Sequence, residues 1–308
     1  MLNNIINLIS IGHGSLFLSY LRKQDGENLA LLHPIVAKIV SNYKWLSLKP
    51  IIIPITCPHN IVILPDDRFA VTSINKVMIY SQNNILITSF DWTLIDQNRN
   101  NYNNSMAYCV LNNTLYIADN HNYCVKVFDL EGKNITSLYR DERRVGKVSD
   151  MVINKKNEII ITDQINDRIY FHSLNMHLIK VIDSNSYDNN QPFGMTLDKD
   201  DNIIVANFSN GNINFYDKDT NAITNAFNIG ERTTISIGVD KRGNIIIPTP
   251  MADEIWIFTK EGEYVKIIGE TGSEIGQLNM PNDIAVNSYG DIYVCDSGNN
   301  RVQIFYEE

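Results

Sequence analysis

From residue 57 onward the apolar positions fall into short runs rich in Ile, Val, Leu, Tyr and Phe, separated by clusters of Asn, Asp, Gly and Ser. Short runs bounded by turn residues predict strands rather than helices. The last copy of the pattern is the clearest: Ile284 to Val286, a Gly-containing turn at Ser288 to Asp291, Ile292 to Val294, and then Val302 to Phe305. The same three-run unit returns upstream with Ile237 to Val239, Ile245 to Ile247 and Ile255 to Phe258, and again with Met195 to Leu197, Ile203 to Val205 and Ile213 to Tyr216. Three earlier copies start their second runs at Phe69, Leu115 and Ile159.

The second runs of the six copies therefore begin at Phe69, Leu115, Ile159, Ile203, Ile245 and Ile292, separated by 46, 44, 44, 42 and 47 residues. A fourth run closes most copies, such as Ile85 to Phe90, Leu178 to Ile182 and Tyr264 to Ile268. One four-stranded meander cannot bury both of its faces, so a repeat of this period predicts stacked sheets, and closing the stack into a ring removes its exposed ends. The expected fold is all-β, a six-bladed β-propeller of four-stranded antiparallel blades over residues 51–308, with a short N-terminal α-helical segment over residues 1–50. The last copy is followed by too few residues to complete its fourth strand. Ile51 to Thr56 is the expected donor, because Pro54 is tolerated on an edge, and residues 5–11 are the alternative.

Between Ser15 and Trp45 the period changes to that of a helix. Ser15 and Asp25 can cap two short helices carrying Leu16, Leu18, Leu21, Leu29 and Leu32, and Pro34 suits the first turn of a third.

The residues joining second to third strand carry a resemblance. Asp296, Asn299 and Arg301 in the last copy, and Asp163, Asn166 and Arg168 at the same spacing, resemble the NHL repeat. Asp119 and Asn122 keep two of its three positions, with Cys124 in place of the arginine. We read these residues as structural, because short polar side chains accept backbone N–H bonds and fix tight turns. The segment ending near Trp45 is similar to an F-box over about thirty residues, without the usual Leu-Pro opening. That resemblance implies docking to a Skp1-like adaptor through Leu16, Leu18, Leu21, Leu29, Leu32 and Trp45, and a role as substrate receptor of a ubiquitin ligase. A helical cap on the propeller is the alternative.

The formal charge of −9 is uneven: residues 1–56 hold five cations against two carboxylates, which leaves −12 for the rest. An acidic domain repels phosphate backbones, which argues against nucleic acid as a partner. Four dispersed cysteines without a C-x-x-C pair fit neither a zinc site nor a disulfide scaffold and point to a reducing, cytoplasmic setting. No run is long and apolar enough to cross a bilayer.

In a propeller the connections from fourth to first and from second to third strand share one face. His59, Asn60, His121, Asp150, Phe193, Asn282 and Asp283 are the expected binding-face residues, with Ala107 aligned to Asn60 in the second copy. Six-bladed enzymes of the gluconolactonase type hold an axial cation, and Asn60, Asp150 and Asp283 are the candidate set here, without an accompanying glutamate. No phosphate loop or nucleophile elbow stands out. The reading is a cofactor-free, non-enzymatic scaffold that binds a protein or peptide, with a metal-dependent hydrolase or lactonase as the alternative.

Overall fold

The computed structural model describes residues 50–92, 105–139, 146–183, 191–230 and 233–306. The expected helices with Leu16, Leu18, Leu21, Leu29, Leu32 and Trp45, and the alternative donor strand 5–11, lie outside these residues.

The described chain forms six separate four-stranded antiparallel sheets. Blade 1 comprises β2 (Asn60–Ile63), β3 (Phe69–Thr72), β4 (Lys76–Tyr80) and β5 (Leu86–Asp91), and blade 2 comprises β6 (Met106–Cys109), β7 (Thr114–Asp119), β8 (Cys124–Asp129) and β9 (Asn134–Tyr139). Blade 3 holds β10 (Asp150–Ile153), β11 (Glu158–Asp163), β12 (Arg168–Ser173) and β13 (Leu178–Asp183). Blade 4 holds β14 (Pro192–Leu197), β15 (Ile203–Asn207), β16 (Asn212–Tyr216) and β17 (Ile223–Asn228). Blade 5 holds β18 (Gly238–Val239), β19 (Ile245–Thr249), β20 (Glu254–Phe258) and β21 (Tyr264–Ile268). Blade 6 is built from β22 (Pro281–Val286), β23 (Ile292–Asp296) and β24 (Arg301–Phe305), with β1 (Ile51–Pro54) as its outer strand. The pairing runs Ile51 to Ile304 through Pro54 to Arg301, and Pro54 sits on the open edge, where its missing N–H costs no ladder bond.

The hairpin between first and second strands repeats with one backbone device. A residue one or two before each second strand (Asp67, Asn113, Asn157, Asp201, Gly243 and Gly290) has φ between 56° and 94°. Only Asn, Asp and Gly enter this left-handed region at low cost, which explains the turn clusters in the sequence. A register shift recurs between third and fourth strands in blades 1 to 5, at Ile79/Tyr80, Val127/Phe128, Phe171/His172, Phe215/Tyr216 and Ile257/Phe258. Such bulges raise the local twist of the outer strand.

The core is not one mass but six interblade clusters, one per joint. Leu64, Ala70 and Ile79 meet Met106, Leu115 and Ile117 between blades 1 and 2, and Ile246, Ile255 and Ile257 meet Ile284, Ile292 and Val294 between blades 5 and 6. The cluster that shuts the ring joins Tyr293, Cys295, Val302 and Ile304 of blade 6, with Ile53 and Ile55, to Ile61, Phe69, Val71 and Tyr80 of blade 1. Six joints for six blades make a closed circle, so each blade packs between two neighbours, while the outermost strands keep exposed positions. Among the described residues no helix is long and apolar enough to cross a membrane.

Candidate functional site at the propeller axis

Strand register decides which side chain of each blade stands where the inner strand begins. Ile61 faces Val71, Met106 faces Ile117, Met151 faces Ile161, Met195 faces Val205 and Ile284 faces Val294. Gly238 faces Ile246, so Ile237 falls level with Ile247. The residues just before these are Asn60, Ser105, Asp150, Gly194, Ser236 and Asp283. Ser105, not Ala107, thus occupies the blade 2 position; Ala107 pairs with Tyr116, further along the strand. The cause is a longer first hairpin in blade 2, with six residues between the paired Tyr108 and Leu115 against five between Ile153 and Ile159.

These six positions form a belt of interblade contacts. Asn60 Oδ1 accepts Met106 N–H of blade 2 at 3.0 Å, and Ser105 Oγ donates to Asp150 Oδ1 of blade 3 at 2.8 Å. Asp150 Oδ2 accepts Met195 N–H of blade 4 at 2.8 Å, while its Oδ1 also takes Met151 N–H at 2.8 Å. Ser236 Oγ donates to Asp283 Oδ1 of blade 6, and Asp283 Oδ2 accepts Ile61 N–H of blade 1 at 2.7 Å. At the joint between blades 4 and 5 the belt has no side-chain bond. Gly194 lies against the Ser236 backbone instead, and a Cβ there would stand 2.7 Å from Ser236 Cα.

The belt holds two carboxylates with no cation beside them in any described ion pair. Burial, and next the negative charge of Asp283, push Asp150 up to about 7. Burial pushes Asp283 up to about 6, against the bonds from Ser236 and Ile61. Their oxygens are occupied by donors of neighbouring blades, so the set Asn60, Asp150 and Asp283 acts as a clasp in this arrangement. Among the described residues no three His, Cys, Asp or Glu side chains stand close enough to share a metal ion.

Beyond the belt the inner strands enclose an axial channel of about 490 Å³. Its next layer is small (Val62, Ala107, Val152, Thr196, Gly238, Ala285), and the far mouth is a ring of half-buried apolar side chains, Ile63, Tyr108, Ile153, Leu197, Val239 and Val286. The channel is therefore polar at the belt end and apolar at the other.

The remaining predicted face residues separate. His59 and Asn282 meet, with Nδ1 of the ring 3.4 Å from the Asn282 amide, at the joint of blades 6 and 1. Phe193 is buried against Phe208, with ring centroids 5.8 Å apart, and its carbonyl accepts the Thr162 hydroxyl. It is therefore a packing residue, not a surface one. His121 is exposed in the β7–β8 connection, away from the inner-strand belt.

The turn motif is structural but not uniform. Asp119 takes Asn122 N–H at 3.0 Å and the Asn122 amide at 2.8 Å, and Lys126, two residues beyond Cys124, supplies the cation at 2.7 Å. Burial alone would raise Asp119; Lys126 and Asn122 more than reverse it and hold the carboxyl low. Asp163 accepts Ile165 N–H, Gly146 N–H and the Asn166 amide, whereas Arg168 turns outward to an exposed pair with Asp183. In blade 6, Asp296 is fully buried and bonds Arg301 at 2.6 Å, the Asn299 amide, Gln303 and Asn279 N–H. Arg301 also donates to the carbonyls of Ser273, Glu274 and Gln277 and so fixes the loop before β22.

The face formed by the 2–3 and 4–1 connections exposes Ile74, Tyr123, Ile165, Met251, Ile275 and Met280, with Met251 at 87 % and Ile165 at 65 %. On the connections of the opposite face, the exposed large apolar side chains among the described residues are fewer: Ile85, Val110 and Leu111. Sequence reasoning missed this set because turn positions were read for their polar residues.

Comparison with known proteins agrees with the fold. The NHL repeat matches residues 278–305, which is the last blade. No curated protein matches the chain. Among solved structures, a virginiamycin B lyase from Staphylococcus aureus is 12 % identical, with 84 % of this chain and 99 % of that one covered at a TM-score of 0.61. The WD40 β-propeller domain of Doa1 is 16 % identical, with 85 % and 96 % covered at a TM-score of 0.59. Identities this low establish the architecture alone: the chain is a six-bladed β-propeller whose last blade matches the NHL repeat.

Proposed function

We propose that the protein is a binding platform whose face of 2–3 and 4–1 connections takes a protein or peptide. The observation that carries this reading is the exposed apolar set on that face, Ile74, Tyr123, Ile165, Met251, Ile275 and Met280. Exposed apolar side chains carried among polar residues on the connections of one face suit an interaction surface, and propellers commonly serve that purpose. The acidic balance of the domain favours a partner offering aliphatic or aromatic anchors among basic residues. A cation-dependent hydrolase at the axis is the competing reading, and the use of Asp150 and Asp283 oxygens in the belt weighs against it. The adaptor-docking half of the proposal rests on the helical pattern of residues 15–45. It is tested by whether residues 1–50 retain a Skp1-like protein.

The face is tested by affinity capture from the native cell with the wild-type chain, an Ile165→Asp/Met251→Asp double variant and a Val110→Asp/Leu111→Asp control. The partner should be lost with the first variant and kept with the control. Equal recovery with both, or loss with the control alone, would contradict the assignment.

A further inference from the structure

At the joint of blades 6 and 1, three side chains meet that the belt does not use. Cys57 Sγ lies 3.4 Å from His59 Nε2, and His59 Nδ1 lies 3.4 Å from the Asn282 amide. Cys57 is half-buried, whereas Cys109, Cys124 and Cys295 are buried. The loop that presents them is held from several sides. Cys57 N–H donates to Asn300 Oδ1, Ser297 Oγ donates to the Pro58 carbonyl, and His59 N–H donates to the Thr72 carbonyl. Cys57 itself sits in the left-handed region at φ 50°. A thiol, a ring nitrogen facing it and a third group on the far side of the ring are the parts of an activated nucleophile: attacking atom, base and orienter.

We infer that Cys57, His59 and Asn282 form a nucleophilic relay that takes an acyl group from a thioester onto the Cys57 sulfur. Half a turn of the Asn282 amide places its oxygen where the nitrogen stands. Nδ1–H then donates to that oxygen, and Nε2 turns its lone pair to the thiol. The thiol proton passes to Nε2 as sulfur attacks the thioester carbonyl carbon. A new C–S bond forms and the old one breaks. The leaving thiolate takes the proton from His59 and departs as a free thiol, so no oxidant, metal or cofactor enters the balance.

The surroundings also select the substrate class. Cleaving an amide calls for N–H donors at the developing oxyanion. Here Cys57 N–H and His59 N–H are already given to Asn300 and Thr72, and position 58 is proline. Exchange of a thiol with a thioester has the smaller demand, because the leaving group is as good as the attacking one. Burial lowers the His59 imidazole and raises the Cys57 thiol, so the resting pair is neutral and the proton moves only with the attack. The nearest acid in sequence, Asp283, has its oxygens on Ile61 N–H and Ser236 Oγ, and Asp296 on β23 is held by Arg301. This activity is separate from the binding reading above and does not rest on it.

The test uses the full chain with the acetyl thioester of N-acetylcysteamine, following released thiol and locating the acetyl group by peptide mapping. The acetyl group should appear on Cys57. Its rate should rise through an ionisation below the ordinary imidazole value and then level off. His59→Ala should slow acetylation at neutral pH by about a hundredfold, and its rate should follow thiol ionisation alone. Asn282→Ala should slow it by about tenfold. Melting curves check that the variants remain folded. Acetylation elsewhere in the chain, an unchanged rate in a folded His59→Ala variant, or a wild-type rate that climbs only with thiol ionisation would each overturn the inference. The wild-type profile decides the matter even where a variant does not fold.

Discussion

Strand β1 is a short element, yet the closure of the ring depends on it. Comparing a fragment of residues 50–308 with one of residues 57–308 isolates its contribution. The shorter fragment loses Ile53 and Ile55, which are 7 % and 3 % exposed and belong to the cluster that joins blades 6 and 1. Full burial of each is worth about 1.5–3 kcal/mol. Half-buried Ile51 and Ile52, the pairing of all four β1 residues with β24, and the bond from Ile55 N–H to the Asn300 carbonyl are lost as well. The total is about 5 kcal/mol or more, comparable with the roughly 5–15 kcal/mol that holds a typical domain together. The uncovered edge of β24, with Val302 and Ile304 on it, also becomes a template for association. Urea titration followed by tryptophan fluorescence, with size-exclusion chromatography, should show a cooperative transition for residues 50–308. Residues 57–308 should give a broad or absent transition and aggregates. A 57–308 fragment melting within about 1 kcal/mol of the longer one would refute the reasoning.

Other consequences can be checked by similar means. Asp150 and Asp283 have folded pKa values raised above the ordinary carboxylate value, so their contribution to stability is present in full below about pH 4 and is lost as pH rises through about 6 to 7. The stability difference between wild type and Asp150→Asn, measured by urea midpoints from pH 4 to 8, should shift against the wild type across that window by a few kcal/mol; a difference independent of pH would dispose of the idea. Arg301→Ala removes one side of a buried pair and three carbonyl contacts and should cost about 3–5 kcal/mol, while Arg168→Ala on its exposed pair should cost about 0–1 kcal/mol. Equal losses at the two sites would show that motif position, not burial, sets the energy. Gly194→Ala drives a Cβ into the Ser236 backbone and should lower stability by about 1–3 kcal/mol in a thermal melt, whereas an unchanged midpoint would mean that the joint of blades 4 and 5 gives way freely.

Much of the blade was legible in the amino-acid sequence because its causes are local. Short apolar runs such as Ile159-Ile160-Ile161 and turn residues such as Asn157 or Gly243 act within a few positions, so strand order and repeat number could be read from the chain. The belt was legible in part: Asn60, Asp150 and Asp283 stood out as polar residues ahead of apolar runs, but Ser105 did not. One extra residue in the blade 2 hairpin moves it out of alignment, and only the ladder pairing resolves the shift.

What the sequence determined alone is therefore the unit: a four-stranded meander with left-handed turns, repeated at a nearly constant period, because backbone preference and short apolar runs operate at short range. The tertiary structure decided the rest. It placed Ser105 against Asp150 and Asp283 against Ile61 N–H, and it buried Arg301 while leaving its counterpart Arg168 in water. It also brought Cys57, His59 and Asn282 together across 223 positions of chain. Those outcomes depend on how neighbouring blades and connections pack, and at the joint of blades 6 and 1 on ring closure, which set distances between residues with no local relation.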